Sequence, residues 1–297
     1  MVRGGHTHAS ASSLNESIMQ HFLLPNPGPV ALQPPAFVKL EVNDEVNISD
    51  VSQALQKCCN NSAPGPDQVP YGVCKGIHNV NRHVILKLMN HLLSWSIYPL
   101  SLKDSLGILL PKPAKGDYNA FVSYRVIALM QTFLKIAERI INQRLIKFVK
   151  LNGLYSVWQT GSLLQRVTFD AGIILRHWVQ EAQAASLKCS TMFLDIKGGF
   201  DNVDHFTLLR RLQTRDVPGY IVKWISNFIS CRQCAIIFPG SPREMKGINT
   251  GIPQGLSLSP ILFVIYVEPL HTCIGPSRQF ISSYIDDIQI TVSSNCW

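Results

Sequence analysis

The sequence predicts an α/β (α+β) chain, with a mainly helical, basic first part and a second part in which short strands pair antiparallel between helices. Three observations carry that prediction. Apolar residues recur at helical spacing before residue 190, as in "MQTFLKIAERIINQRLIKFVK", where Phe133, Ile136, Ile140 and Leu145 form a stripe flanked by Lys and Arg. Short apolar runs such as "TMFLDI" and "CAIIF" follow. The chain closes on "RQFISSY" and "IQITVSS", two strands joined tightly across Asp286 and Asp287.

Taken in order, residues before about Asn47 carry Pro, Gly and Ser without a period and read as a flexible lead-in over 1–48. Ser49 is expected to cap a short helix with Val51, Leu55 and Cys58 on one face. "NSAPGPDQVP" ends it, because three prolines and a glycine cannot continue a helix. A second helix is expected over Val80–Trp95, then a strand in "SLGILLP", then the long basic helix and another through "FDAGIILRHWVQEAQAA". After "TMFLDI" come helices around Phe206–Arg215 and Tyr220–Ser230 and the strand "CAIIF". Glycine-rich "INTGIPQGLSLSP" leads into a helix over Pro260–Leu270, with Ser259 as its cap and Pro260 in its first turn. The expected whole is one continuous architecture of two subdomains, without internal repeats.

Composition narrows the function. Hydrophobic residues make up 46% of 297 and charged residues 15%, enough for a sizeable core. With 27 Lys+Arg against 19 Asp+Glu, the net charge of +8 favours a polyanionic partner, either nucleic acid or an anionic membrane surface. No apolar run reaches the roughly 18 residues of a membrane span, and "MVRGGHTHAS" lacks the apolar core of a secretory signal. The expectation is a soluble intracellular protein, in nucleus or cytoplasm. Of eight cysteines only Cys231 and Cys234 have C-x-x-C spacing, with no second pair to complete a zinc site, so reduced thiols are expected. His6 and His8 lie in a polar tail.

The chemistry-bearing residues are carboxylates. Asp195 ends the strand "TMFLD", and Asp286 and Asp287 occupy the tip of the terminal hairpin. If those strands neighbour each other, Asp195 and Asp286 can lie side by side at one rim. Oxygen ligands of this kind suit Mg²⁺, and two such ions about 3.5–4 Å apart can activate a hydroxyl and stabilise a leaving oxygen in phosphoryl transfer. The plainer alternative is a polar turn, since Asp is a favoured turn residue. Successive strand side chains face opposite ways, so the metal is placed more firmly on Asp286 than on Asp287.

Five segments in one order resemble the reverse transcriptases of non-LTR (LINE-type) retrotransposons. They are "APGPDQVP", "LLPKPAKGDYNAFVSYRVIAL", "FLDIKGGFDNVDH", "GIPQGLSLSPILF" and "YIDD", and the resemblance runs from about Ser49 to the last residue. It implies a right-hand polymerase fold, with fingers over 49–190 and a partial palm over 191–297, and RNA-templated DNA synthesis. Asp195 and Asp286 would hold two Mg²⁺ ions (or Mn²⁺), with Asp287 assisting. Phe200 would be the steric gate that excludes a ribose 2′-OH. Lys112 and Arg125 would meet the incoming triphosphate, as a point charge and a fork respectively. Gln254 and Gly255 would line the loop beneath the nucleotide. The basic helices would contact RNA template and DNA primer through their backbones.

Departures from the family pattern are Gly199 for Ala, Val126 for Pro, Leu256-Ser257 for Ser-Pro, and Ser162 for an aromatic. The thumb, endonuclease and zinc-knuckle segments are not found before the chain ends at Trp297, which implies a truncated copy with little activity alone. Competing readings are a non-catalytic nucleic-acid-binding remnant, or another lineage such as a group II intron maturase or telomerase. "APGPD" and "FLDIKGGFDNV" favour the LINE type over the last.

Overall fold

The structure is a computed structural model and describes residues 45–94, 99–114, 117–118, 123–162, 166–237, 243–272 and 279–295. Most of the expected lead-in, parts of the segment after Lys112 and of "QTGSLLQR", and Cys273 and Cys296 lie outside these residues.

The helical part begins with α1 (Ile48–Gln56), capped by Asn47 rather than Ser49. Asn47 and Asp50 exchange side-chain to backbone bonds of 2.9 and 3.2 Å, a reciprocal box that satisfies two end donors. The helix expected over Val80–Trp95 is α3 (Arg82–Ser94), and a further helix, α2 (Tyr71–Val80), which was not expected, precedes it. Asn81 between them has extended backbone (φ −146°, ψ 97°), which breaks the helical path. The long helix α4 (Thr132–Leu151) starts against the Pro-rich turn: Asp67 accepts the Thr132 N–H at 2.7 Å, and Lys135 donates to the Ala63 carbonyl. The "APGPD" segment therefore caps the longest helix. Helix α5 (Thr168–Ala184) follows, its first turn closed by Asp170 accepting from the Val167 N–H.

Two sheets carry the rest. The first contains β1 (Asp104–Pro111), β2 (Tyr124–Leu129), β4 (Arg232–Ile236) and β5 (Lys246–Ile248) in the order β2-β1-β4-β5. Strand β1, from the first part of the chain, runs parallel to β4, a pairing between the two parts that was not expected. Strands β2 and β5 were not foreseen; β5 is three residues long and β2 has no alternation strong enough to betray it. The second sheet is antiparallel throughout, in the order β3-β7-β6, with β3 (Lys188–Asp195), β6 (Gln279–Tyr284) and β7 (Asp287–Ser294).

Helix α6 (His205–Gln213) packs on α7 (Gly219–Ile229) and α8 (Ser259–Val267), while α5 packs against β3 and β6. The cap of α8 is Leu258 and not Ser259, whose hydroxyl instead bonds the Pro253 carbonyl at 2.6 Å. A short 3-10 turn over Glu268–Thr272 replaces the expected last turn of that helix. Helix α8 is apolar all round and buried from Ile261 to Ile265, as a helix without a polar face must be. One hydrophobic cluster runs from Val51 and Leu55 through Leu134 and Ile141 to Trp224, Phe228 and Phe263, so both expected subdomains share a core. Full burial of each such side chain stabilises by about 1.5–3 kcal/mol.

Candidate active site

Asp195 stands at the last residue of β3, directly opposite Asp287 at the first residue of β7. Opposed residues of an antiparallel pair have Cβ atoms roughly 5 Å apart on the same face. The register thus sets Asp287, rather than Asp286, cross-strand from Asp195. Asp286 occupies the two-residue turn with Ile285, and its carbonyl accepts the Ile196 N–H at 3.4 Å. Asp195 and Asp287 are exposed, whereas Asp286 is half-buried. Burial pushes the Asp286 carboxyl above the usual range, and the Asp287 and Asp195 charges add to it; its own N–H and the Arg125 guanidinium work against them. Two predicted site elements, the carboxylates and Arg125, are therefore electrostatic neighbours.

The hairpin is held from below. Ser283 in β6 receives the Thr160 N–H (2.8 Å) and hydroxyl (3.0 Å) at its carbonyl, and its own N–H donates to Trp158. Its hydroxyl donates to the Gln159 side-chain oxygen and lies 2.9 Å from His271 Nε2. Ile285 has φ +60°, a strained setting for a β-branched residue at the tip of the turn.

The loop Gly251–Gly255 is fixed on three sides. Its Gly251 and Ile252 N–H groups donate to the Val203 and Phe200 carbonyls at 2.9 and 2.8 Å, while the Gln254 carbonyl accepts from Ala128 in β2 at 3.0 Å. Two donors converge on the Gly251 carbonyl, His205 Nε2 and the Arg232 guanidinium, each at 2.7 Å. Arg232 also bonds the Thr250 and Ile229 carbonyls. Gly255 has φ +95°, and a Cβ there would come within 2.7 Å of Ile127. The Gln254 amide lies 3.3 and 3.4 Å from the two Asp201 oxygens. Phe200 stacks on Phe263, with centroids 5.0 Å apart and planes 13° off parallel. Lys112, just past β1, bonds the Ser123 carbonyl through its N–H and acts on Asp201 rather than on Asp286.

Residues 110–296 match the family described as reverse transcriptase (RNA-dependent DNA polymerase). The chain belongs to the reverse transcriptase family. The non-LTR resemblance drawn from the motifs is borne out by its relatives. A probable RNA-directed DNA polymerase from the X-element transposon of Drosophila melanogaster is 24% identical over 83% of this chain and 27% of that protein. The RNA-directed DNA polymerase from the mobile element jockey of Drosophila funebris is 25% identical, over 85% and 28%. A putative 115 kDa protein of the R1DM retrotransposable element of Drosophila melanogaster is 28% identical, over 92% and 26%. The chain spans about a quarter of the length of these relatives.

In this reverse transcriptase-family chain the mixed α/β architecture, eight helices and two sheets among the described residues, fits part of a polymerase right hand. Among the described residues no three His, Cys, Asp or Glu side chains converge into a ready-made metal cage. The acidic rim still fits a hard divalent cation, because Mg²⁺ is held by one or two carboxylates together with substrate phosphates and water. Its donors are all oxygen, and the mutual repulsion at Asp286 is of the kind a cation relieves. No described helix is long and apolar enough to cross a membrane. The described cysteines are free, with Cys231 exposed and Cys234 buried. Three residues that hold the loop, Asp201, His205 and Arg232, were not singled out from sequence. Asp201 and His205 lie inside the quoted "FDNVDH" and could have been, whereas nothing near Arg232 marks it.

Proposed function

We propose that the chain supplies the fingers and palm of an RNA-directed DNA polymerase that joins dNTPs to a DNA primer 3′-OH on an RNA template. The observation that carries this is the facing of Asp195 and Asp287 across β3 and β7, with Asp286 in the turn beside them. In this reading Asp195 and Asp286 hold divalent ions, Mg²⁺ or Mn²⁺, with Asp287 assisting. Such ions, when bound, polarise the attacking hydroxyl and offset charge on the leaving oxygen.

The remaining roles belong to the chain's own residues. Arg125, already within electrostatic reach of Asp286, orients triphosphate oxygens with its fork. Lys112 supplies a second positive charge at the end of β1. Phe200 bars a ribose 2′-OH, its ring kept flat against Phe263 so that it cannot swing aside. Gln254 and Gly255 form the floor under the nucleotide, a floor seated on Ile127 of β2 because Gly255 has no Cβ. The excess of cationic side chains, 27 against 19, holds the polyanionic duplex without regard to its sequence.

Primer extension on an RNA template with Mg²⁺ tests the reading. Template-dependent dNTP incorporation, however slow, should fall by more than about 10²-fold in Asp195→Ala and in Asp286→Ala. RNA binding without incorporation, unchanged by those substitutions, would sink the polymerase reading and leave a nucleic-acid-binding module.

A further inference from the structure

Asp201 has no role in the reading so far, yet it is the side chain that touches Gln254. It follows Phe200 in the turn after β3 and lines a cavity of about 50 Å³ behind the Gly251–Gly255 loop, together with Arg232, Cys234 and Ile248. Both its oxygens face the Gln254 amide nitrogen, at 3.3 and 3.4 Å. The two ends of a glutamine amide are nearly the same shape but opposite in polarity. An ionised carboxylate can only accept, so it selects the NH₂ end and turns the amide oxygen the other way.

We propose that Asp201 is a positioning residue for nucleotide binding, holding the Gln254 amide in one orientation so that its oxygen is presented as an acceptor to a bound dNTP. This rests on the reading above that the loop lies beneath the nucleotide. The main chain at Asp201 is locked to the loop it serves. Phe200 and Val203, on either side of it, accept the Ile252 and Gly251 N–H groups. Gly251, at φ +68°, has no Cβ, and one built there would lie 2.4 Å from the Asp201 carbonyl oxygen. Any shift of Asp201 is thus passed to the loop directly.

The charged groups around the carboxylate support the ionised form that the selection needs. Burial raises the carboxyl above its ordinary value, while the bond to Gln254 and then the charges of Arg232 on β4 and Lys112 past β1 favour the ionised form. His205, the first residue of α6, is held neutral by burial and is spent on the Gly251 carbonyl of the loop.

Two readouts test the proposal in the intact chain. In side-chain amide NMR, the Gln254 NH₂ pair is identified by its loss in Gln254→Ala. It should be protected from exchange with water in the native protein, and that protection should be lost in Asp201→Asn, whose own amide can face Gln254 either way. Asp201→Glu keeps the acceptor and should restore part of the protection, with thermal unfolding reporting that both variants are folded. In primer extension, Asp201→Asn should raise the dNTP KM by roughly tenfold, the loss falling on KM rather than kcat. Equal exchange of the Gln254 amide in native and Asp201→Asn protein would overturn the proposal, and so would an unchanged KM. A chain that incorporates nothing yet shows the protected amide supports the Asp201–Gln254 coupling and sinks the polymerase reading instead.

Discussion

The Glu138 carboxylate, buried in α4, accepts the backbone N–H of Leu258 just ahead of α8, a contact between residues 120 positions apart. The Ser257 N–H bonds it too. Those two donors belong to the start of a helix, where N–H groups have no partner within the helix. The family pattern would have Pro at position 257, which has no N–H to give. The departure "GLSLSP" therefore adds a donor to a buried acid, and Leu256 beside it is itself buried in the core.

Glu138 makes stability depend on pH. Burial pushes its carboxyl up to about 7 from an ordinary 4.5, against the pull of the Leu258 N–H and Arg139. The native state therefore keeps a proton that the unfolded chain loses above about 4.5, and this stabilisation, whole at lower pH, disappears as pH rises through 7. Urea unfolding midpoints should fall between about pH 5 and about pH 8, and Glu138→Gln should flatten that slope. Glu138→Ala should cost roughly 2–4 kcal/mol by leaving both donors buried and unmet. A pH profile identical in Glu138→Gln and the native chain would contradict this.

His205 acts at the acid end with the opposite sign. Burial lowers its ring to about 4 from 6.5, with the Gly251 carbonyl opposing. Its contribution is whole above 6.5 and is lost as pH falls through about 4. His205→Gln, which keeps a donor for Gly251, should make the acid side of the unfolding profile shallower, as read by circular dichroism.

Gly161 should resist substitution. A Cβ there would lie 2.6 Å from the Ile285 side chain and 2.8 Å from its backbone nitrogen, at the strained tip of the aspartate hairpin. Gly161→Ala should destabilise by about 1–3 kcal/mol and displace Asp286, so incorporation falls more than stability alone accounts for. Thermal unfolding and primer extension on the same variant separate the two effects.

Gly199 is matched to Phe263. A Cβ at 199 would meet the ring at 2.9 and 3.1 Å, and the same ring stacks under Phe200. The Ala common in the family should cost about 1–3 kcal/mol here, and less when combined with Phe263→Leu. A double-mutant cycle in urea measures the coupling; strictly additive costs would show that ring and glycine are independent.

The long helices and the terminal hairpin were legible because their signals are local. A 3.6-residue apolar stripe writes α4 into the sequence, and two apolar runs meeting at "DD" write β6 and β7. The helix expected across Val80–Trp95 is there as α3, whereas α2 before it was not legible because "YGVCKGIHNV" carries two glycines and follows a proline-rich turn. Strand β5 was invisible because three residues of "KGI" have no period to read, and they become a strand only by lying beside β4.

The sequence by itself determined the family and the order of its segments, and it marked the candidate acidic residues, since motif spacing along the chain is independent of how the chain folds. Tertiary structure alone decided which groups meet. It set Asp287 opposite Asp195 through the register of β3 and β7, joined β1 to β4 in parallel, and brought Asp201 and Arg232 to the loop at Gly251. Pairings of that kind are fixed by burial and by the need of every buried N–H and carbonyl for a partner, and neither condition exists until the whole chain is in place.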